Sequence, residues 1–229
     1  MREKWPDRPL MVAQSLDGGV DDLQVTVLPR LIPDPFYPPG DGADVFGLTR
    51  RLHLEERPRL VCFGDHKDGA ALSIVLESVP PLLASGGELV FWDAAGLRDR
   101  LAPVIKHLRL TEHVVFAPPL EIAELAALFL GADAMILMEN QPANASLALT
   151  WAMASGNPIV AVHSPENEAV LGPAALWVYD ANPDVLQAAI QEVLSKESLR
   201  EELAQRQAAI TSAWRFSTAC SLWEKALPA

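Results

Sequence analysis

The stretch Ala152-Met153-Ala154-Ser155-Gly156-Asn157-Pro158-Ile159-Val160-Ala161-Val162 decides the fold. A helical window over 145–154 runs into Gly156, a good helix stop because glycine enters the left-handed region without strain. Pro158–Val162 follows at once as an apolar run of strand length. A run without polar alternation belongs to a strand covered on both faces. The same unit recurs on either side. Leu60–Phe63, Leu89–Trp92, His113–Phe116, Ala134–Leu137 and Leu176–Tyr179 read as further strands. One helical window begins near Gly69 and is interrupted by Pro80-Pro81; others cover 97–108, 121–130 and 183–194. Alternation at this spacing predicts right-handed βαβ units in an α/β fold, a doubly wound Rossmann-like parallel sheet. Two more helical runs, 197–209 and 211–226, close the chain.

Ahead of the alternating region, residues 1–58 read as irregular. They hold two short β-like runs, Leu10–Ala13 and Gln24–Leu28, then Ile32-Pro33-Asp34-Pro35-Phe36-Tyr37-Pro38-Pro39-Gly40. Prolines fix φ and remove donors, so this last stretch is expected to be an extended linker. The chain thus divides into an N-terminal extension and linker over 1–58, a Rossmann-like domain over 59–210, and a C-terminal crossing helix over 211–229.

A length of 229 residues suits one full domain with extra segments. The formal charge of −12 offers none of the basic footprint that a nucleic-acid binder needs. Cys62 and Cys220 make neither a metal spacing nor a disulfide framework, and Cys62 sits in an apolar run that predicts a buried thiol. No run is apolar for long enough to span a bilayer, and Met1–Pro6 lacks the apolar stretch of a signal peptide. The expectation is a cytoplasmic protein, with attachment to a membrane complex through a partner left open.

Ligands of an open α/β sheet bind beyond the carboxyl ends of its strands, where helix N-termini present N–H groups to anions. The candidate loops are Gly64–Gly69, Asp93–Gly96, Ala117–Leu120, Met138–Ser146 and His163–Glu168. In the first, Gly64 permits a tight turn and Lys67 suits a phosphate, while Asp65 and Asp68 repel one. In the fourth, Asn144 is a candidate N-cap, and Ala145 and Ser146 are small enough to let a ligand reach the backbone. Set against these is an ordinary turn with a solvated lysine and an ordinary capped helix. His66 and His163 fall in candidate loops, yet no nucleophilic triad and no metal motif is supported by spacing.

In order and spacing the segments resemble glycosyltransferase family 4, the retaining enzymes of the GT-B fold. The resemblance rests on Val27–Pro38 as the family linker, on Leu60–Gly64 and His113–Phe116 as family strands, and on Ala152–Val160 beside "EAMA-x-G-x-P-V-V". Leu176–Asp180 and Trp214–Ser217 match the late strand and terminal helix. The resemblance implies the donor half of a two-domain enzyme, whose cleft takes a nucleotide sugar. It also locates departures. The family's two glutamates, one serving the sugar and the other the ribose, fall at Ala143 and Trp151. Its diphosphate arginine falls at Asp65, and the glycine after its third strand at Pro118. Lys67 keeps the lysine's role only across a short gap. A transferase must stabilise a departing nucleoside diphosphate, and these changes remove that help.

Three functions are consistent with this pattern. One is a degenerate donor domain acting as a binding or scaffolding module, with a protein partner or a second copy over the surface the missing half would cover. Trp5, Trp214 and Trp223 are candidates for that surface. Another is an active transferase subunit or fragment whose acceptor domain lies elsewhere, with a nucleotide sugar as ligand. The last is a small-ligand sensor using the same cleft. Glu139 or Glu168 turned inward would supply a replacement carboxylate and weaken the first reading.

Overall fold

The computed structural model describes residues 11–13, 25–27, 31–40, 42–54, 57–63, 69–84, 86–92, 95–138 and 147–220. Strands β1 (Met11–Ala13) and β2 (Val25–Val27) pair antiparallel, as the two β-like runs suggested. The proline-rich stretch departs from the extended linker. It folds into a 3₁₀ turn at Asp34–Phe36, and Ile32 and Phe36 are completely buried. Fixed φ values set the path of such a segment but leave its apolar side chains able to join a core. Residues 45–52 depart from the irregular reading as well. They form helix α1 (Val45–Leu52), capped by Asp44, whose carboxylate accepts from Gly47 N–H at 2.7 Å.

The alternating region then runs β3 (Arg59–Cys62), α2 (Gly69–Ser78), α3 (Pro80–Leu83), β4 (Glu88–Phe91), α4 (Arg98–His107), β5 (Val114–Phe116), α5 (Ile122–Leu130) and β6 (Ala134–Leu137). It continues with α6 (Leu147–Ala154), β7 (Ile159–Val162), α7 (Pro165–Leu171), β8 (Leu176–Val178), α8 (Pro183–Ser195) and α9 (Glu197–Thr211). Six parallel strands form one sheet in the order β5-β4-β3-β6-β7-β8. This is the doubly wound order, with the direction of winding reversing between β3 and β6.

The strand pleat sends alternate side chains to opposite faces. Along β3, Leu60 and Cys62 enter the layer built with α2, α4 and α8, while Val61 enters the layer with α1, α5 and α6. β6 repeats the division, with Ala134 and Ile136 on one side and Met135 and Leu137 on the other. Cys62 is therefore buried, as its run predicted. Gly156 adopts φ 75°, directly after the turn that ends α6. Pro80 starts α3 after α2 has stopped, because an interior proline removes a helix hydrogen bond.

The amino ends of β3 and β4 are tied by a buried pair. The Arg59 guanidinium donates to the Glu88 carboxylate at 3.1 Å, to the Gly131 carbonyl at 3.3 Å and to the Leu54 carbonyl. Asp133 accepts from Arg59 N–H at 2.7 Å and from Arg57 at 2.7 Å. These contacts join α1, α5 and the sheet at the end opposite the cleft, leaving the carboxyl ends of the strands to present a site.

Candidate functional site

The winding reversal places the crevice beyond the carboxyl ends of β3 and β6, which are direct neighbours. The segments that leave these strands are 64–68 and 139–146. They carry Gly64, Asp65 and Lys67 on one side, and Glu139, Ala143, Asn144, Ala145 and Ser146 on the other; all eight lie outside the described residues. Trp151, in the middle of α6, is described.

Trp151 lies nearly parallel to Phe36 of the linker, with ring centroids 4.9 Å apart and an interplanar angle of 19°. Phe36 also meets Phe129 of α5 at 6.0 Å. Phe129 in turn contacts Phe63 at 5.7 Å and Trp92 edge-on at 5.8 Å. Phe63 and Trp92 are the residues immediately after β3 and β4. An aromatic chain thus runs from the linker to the carboxyl ends of two adjacent strands. Each such contact stabilises by about 0.5–1.5 kcal/mol beyond simple burial. The Trp151 Nε1–H is buried and has no acceptor among the described residues. Trp151 thus presents a ring and an N–H donor, and no carboxylate, in the middle of α6.

The linker that holds Phe36 is clasped to the C-terminal segment. Ile32 N–H donates to the Trp214 carbonyl at 2.8 Å, and Phe216 N–H donates to the Ile32 carbonyl at 2.9 Å. Asp34 accepts from Arg215 at 2.9 Å and from Ser217 at 3.0 Å. Arg215 also lies over the Tyr37 ring at 5.1 Å, and the Tyr37 hydroxyl donates to the Thr211 carbonyl at 2.7 Å. Burial raises the Asp34 carboxyl, but the hydrogen bonds from Arg215 and Ser217 outweigh it and hold the group below 3.8. Burial pushes the Tyr37 phenol up to about 12. Trp214 is half-buried against the same core, so packing claims part of this candidate surface residue. Trp5 and Trp223 lie outside the described residues.

The candidate loop His163–Glu168 is largely the start of α7. Ser164 caps it by accepting from Asn167 N–H at 3.1 Å, and Pro165 occupies the first turn. The sequence Ser164-Pro165-Glu166 carries that signal, since serine caps, proline at the first helical position and acids in the first turn all favour a helix start. His163 stacks on Tyr179 with centroids 4.7 Å apart and meets Trp177 edge-on at 5.4 Å. Its Nε2 lies 3.2 Å from the Glu168 carboxylate, whose side chain is 59% exposed. Glu168 is thus engaged by His163 in a solvent-facing pair. At the other loops, Gly96 falls in a 3₁₀ turn and Pro118 is exposed.

A six-stranded sheet in this order, with an N-terminal linker clasped beside its crevice, defines the donor-type half of a GT-B glycosyltransferase fold. The chain belongs to the glycosyl transferases group 1 family, whose model matches residues 52–209. Among solved structures, sucrose-phosphate synthase from Thermosynechococcus elongatus superposes with a TM-score of 0.66 at 16% identity, covering 87% of this chain and 51% of that one. HepE from Anabaena, in complex with UDP and glucose, gives 0.69 at 15% identity over 87% of this chain and 55% of its own. The C-terminal domain of the group 1 protein LpcC from Francisella tularensis gives 0.63 at 14% identity, covering 78% of this chain and 95% of that domain. The chain spans about half the length of the first two. No curated protein matches it in sequence. No helix among the described residues is long and apolar enough to cross a membrane.

Proposed function

We propose that this chain is a donor-type glycosyltransferase domain that has given up nucleotide-sugar transfer and serves as a binding or scaffolding module. The observation that carries this reading is the Trp151–Phe36 stack. At the position where the resembling family binds ribose with a carboxylate, this chain holds an indole locked against its own linker. A ribose diol donates two hydrogen bonds, and an indole accepts none. Asp65 in place of a diphosphate arginine adds repulsion where attraction is needed. Loss of both contacts removes the differential stabilisation that transfer requires. The apolar surface of Tyr179, 75% exposed at the carboxyl end of β8, and of Ile122, 51% exposed at the start of α5, suits contact with a protein partner or a second copy.

The nucleotide-bound Anabaena structure favours a competing reading, an active subunit whose acceptor half lies on another chain. In that case Lys67 and the backbone at Asn144–Ser146 hold the diphosphate. Titration calorimetry with UDP-, GDP- and ADP-sugars separates the two. Silence with all three, together with a stable dimer by light scattering, supports the scaffold. Micromolar binding abolished by Lys67→Ala overturns it in favour of the enzyme.

A further inference from the structure

A groove of about 570 Å³ runs along the outer edge of the sheet, between α4 and the end strand β5. Its position owes nothing to the crevice at β3 and β6, and the inference holds whether or not a nucleotide sugar binds there.

The groove has an apolar floor and cationic ends. Arg98, Ala102 and Lys106 are spaced four apart on α4, so they form one row along the helix, and all three line the groove. Ala102 leaves the middle of the row low. Ile105, Val114 and Phe116 supply the apolar surface. At the upper end Arg98 lies over the Phe116 ring at 5.2 Å and reaches the Phe116 carbonyl at 3.4 Å. At a rise of about 1.5 Å per residue the two cations stand about 12 Å apart along the helix.

Among the described residues, β5 is the end strand and no further strand pairs with its outer edge. Leu89 N–H donates to the His113 carbonyl and Ala117 N–H to the Phe91 carbonyl, so residues 113, 115 and 117 face β4. By the alternation of the ladder, the Val114 carbonyl and the Phe116 N–H point away from β4 along the free edge. That pair is what an added strand engages. Charge marks the same place. Residues 98–113 hold four of the chain's 18 Lys and Arg, and two of its 30 Asp and Glu. In a molecule of net charge −12 this is a local reversal of sign.

We propose that the β5 edge is a docking site for an extended acidic peptide of a partner protein, with acids four residues apart flanking a central apolar residue. Alternate residues of a strand share a face, and four residues of extended chain span about 13 Å, matching the separation of Arg98 and Lys106. The acids meet the two cations, the apolar side chain seats over Ala102 between Ile105 and Val114, and the peptide backbone pairs with Val114 C=O and Phe116 N–H. The spacing, rather than the charge alone, is what selects the segment.

Fluorescence anisotropy with the labelled peptide Gly-Asp-Thr-Val-Thr-Asp-Gly tests this on the full chain. The expected result is saturable binding that weakens with salt. Replacing both peptide acids by Asn is expected to weaken it at least tenfold, as is N-methylation of the central valine. Arg98→Glu and Lys106→Glu are each expected to do the same, with Arg98→Gln and Lys106→Gln as milder variants checked for unchanged circular dichroism. No saturable binding in the millimolar range overturns the proposal, as does binding indifferent to these variants. Self-association of the variants with peptide binding unchanged assigns the cations to guarding the edge against strand pairing, and also overturns it.

Discussion

Asp34 and Arg215 stand 181 positions apart in the chain and 2.9 Å apart in space. Their pairing closes the linker onto the C-terminal segment and fixes Phe36 beneath Trp151. Both side chains are about one-third exposed, so solvent screens the pair, and Arg215→Ala is expected to cost no more than about 1 kcal/mol in urea unfolding. The pH dependence follows from the lowered Asp34 group. Its contribution is complete above 3.8 and is lost as the pH falls through the lower value it has in the fold. The stability difference between the wild type and Asp34→Asn, measured by melts at neutral pH and near pH 3, is expected to shrink at the acid end.

Tyr37 gives an alkaline counterpart. The chain has two tyrosines, and burial pushes this phenol up to about 12. A group raised in the fold favours its protonated form there, so its contribution is complete below the unfolded value of 10.0 and fades as the pH climbs towards 12. Absorbance near 295 nm is expected to show half of the tyrosinate signal arising near pH 12. Tyr37→Phe is expected to remove that half and to flatten the loss of stability above pH 10.

Arg59 and Glu88 are 3% and 4% exposed, so this pair is shielded where the clasp is not. Arg59→Ala leaves the Glu88 carboxylate buried without its guanidinium and frees the Leu54 and Gly131 carbonyls. The expected cost is about 3–5 kcal/mol in chemical unfolding. Arg59→Met with Glu88→Leu is expected to recover much of it, because removing both charges removes the desolvation that each suffers.

Trp151→Ala removes the indole that stacks on Phe36 and opens a cavity beside the linker. A loss of about 3 kcal/mol is expected, the low end for a large aromatic because Trp151 is only partly buried. The clasp and the aromatic chain are coupled through Phe36. Trp151→Ala combined with Arg215→Ala is therefore expected to cost less than the two separate losses added together, read as a double-mutant cycle.

The sheet was legible because doubly covered strands leave uninterrupted apolar runs, and all six lie within one residue of their expected ends. Pro80-Pro81 and Gly156 marked helix limits through backbone geometry alone. Helix α1 was hidden because its one strong local cue is the Asp44 cap. The rest of its support is tertiary: contact with α5 and an ion pair of Arg51 with Glu124 at 2.8 Å. The linker was misread for a related reason. Proline spacing reports an extended path and carries no information on whether Phe36 and Tyr37 face water or core. At the site, the topology rule points to the segments after β3 and β6, and the resemblance singles out Trp151. The stack with Phe36 was out of reach, since it joins residues 115 positions apart with no shared periodicity. The other candidate residues belong to segments 64–68 and 139–146, outside the described structure.

The most direct measurement of the central claim is a thermal melt of the intact chain in millimolar UDP-glucose, GDP-mannose and ADP-glucose. A ligand present at 100 times its dissociation constant stabilises the folded state by about 2.7 kcal/mol, a rise of several degrees in Tm. The proposed loss of nucleotide-sugar binding predicts an unmoved Tm with all three. A rise with one nucleotide sugar, lost on Lys67→Ala, would contradict it.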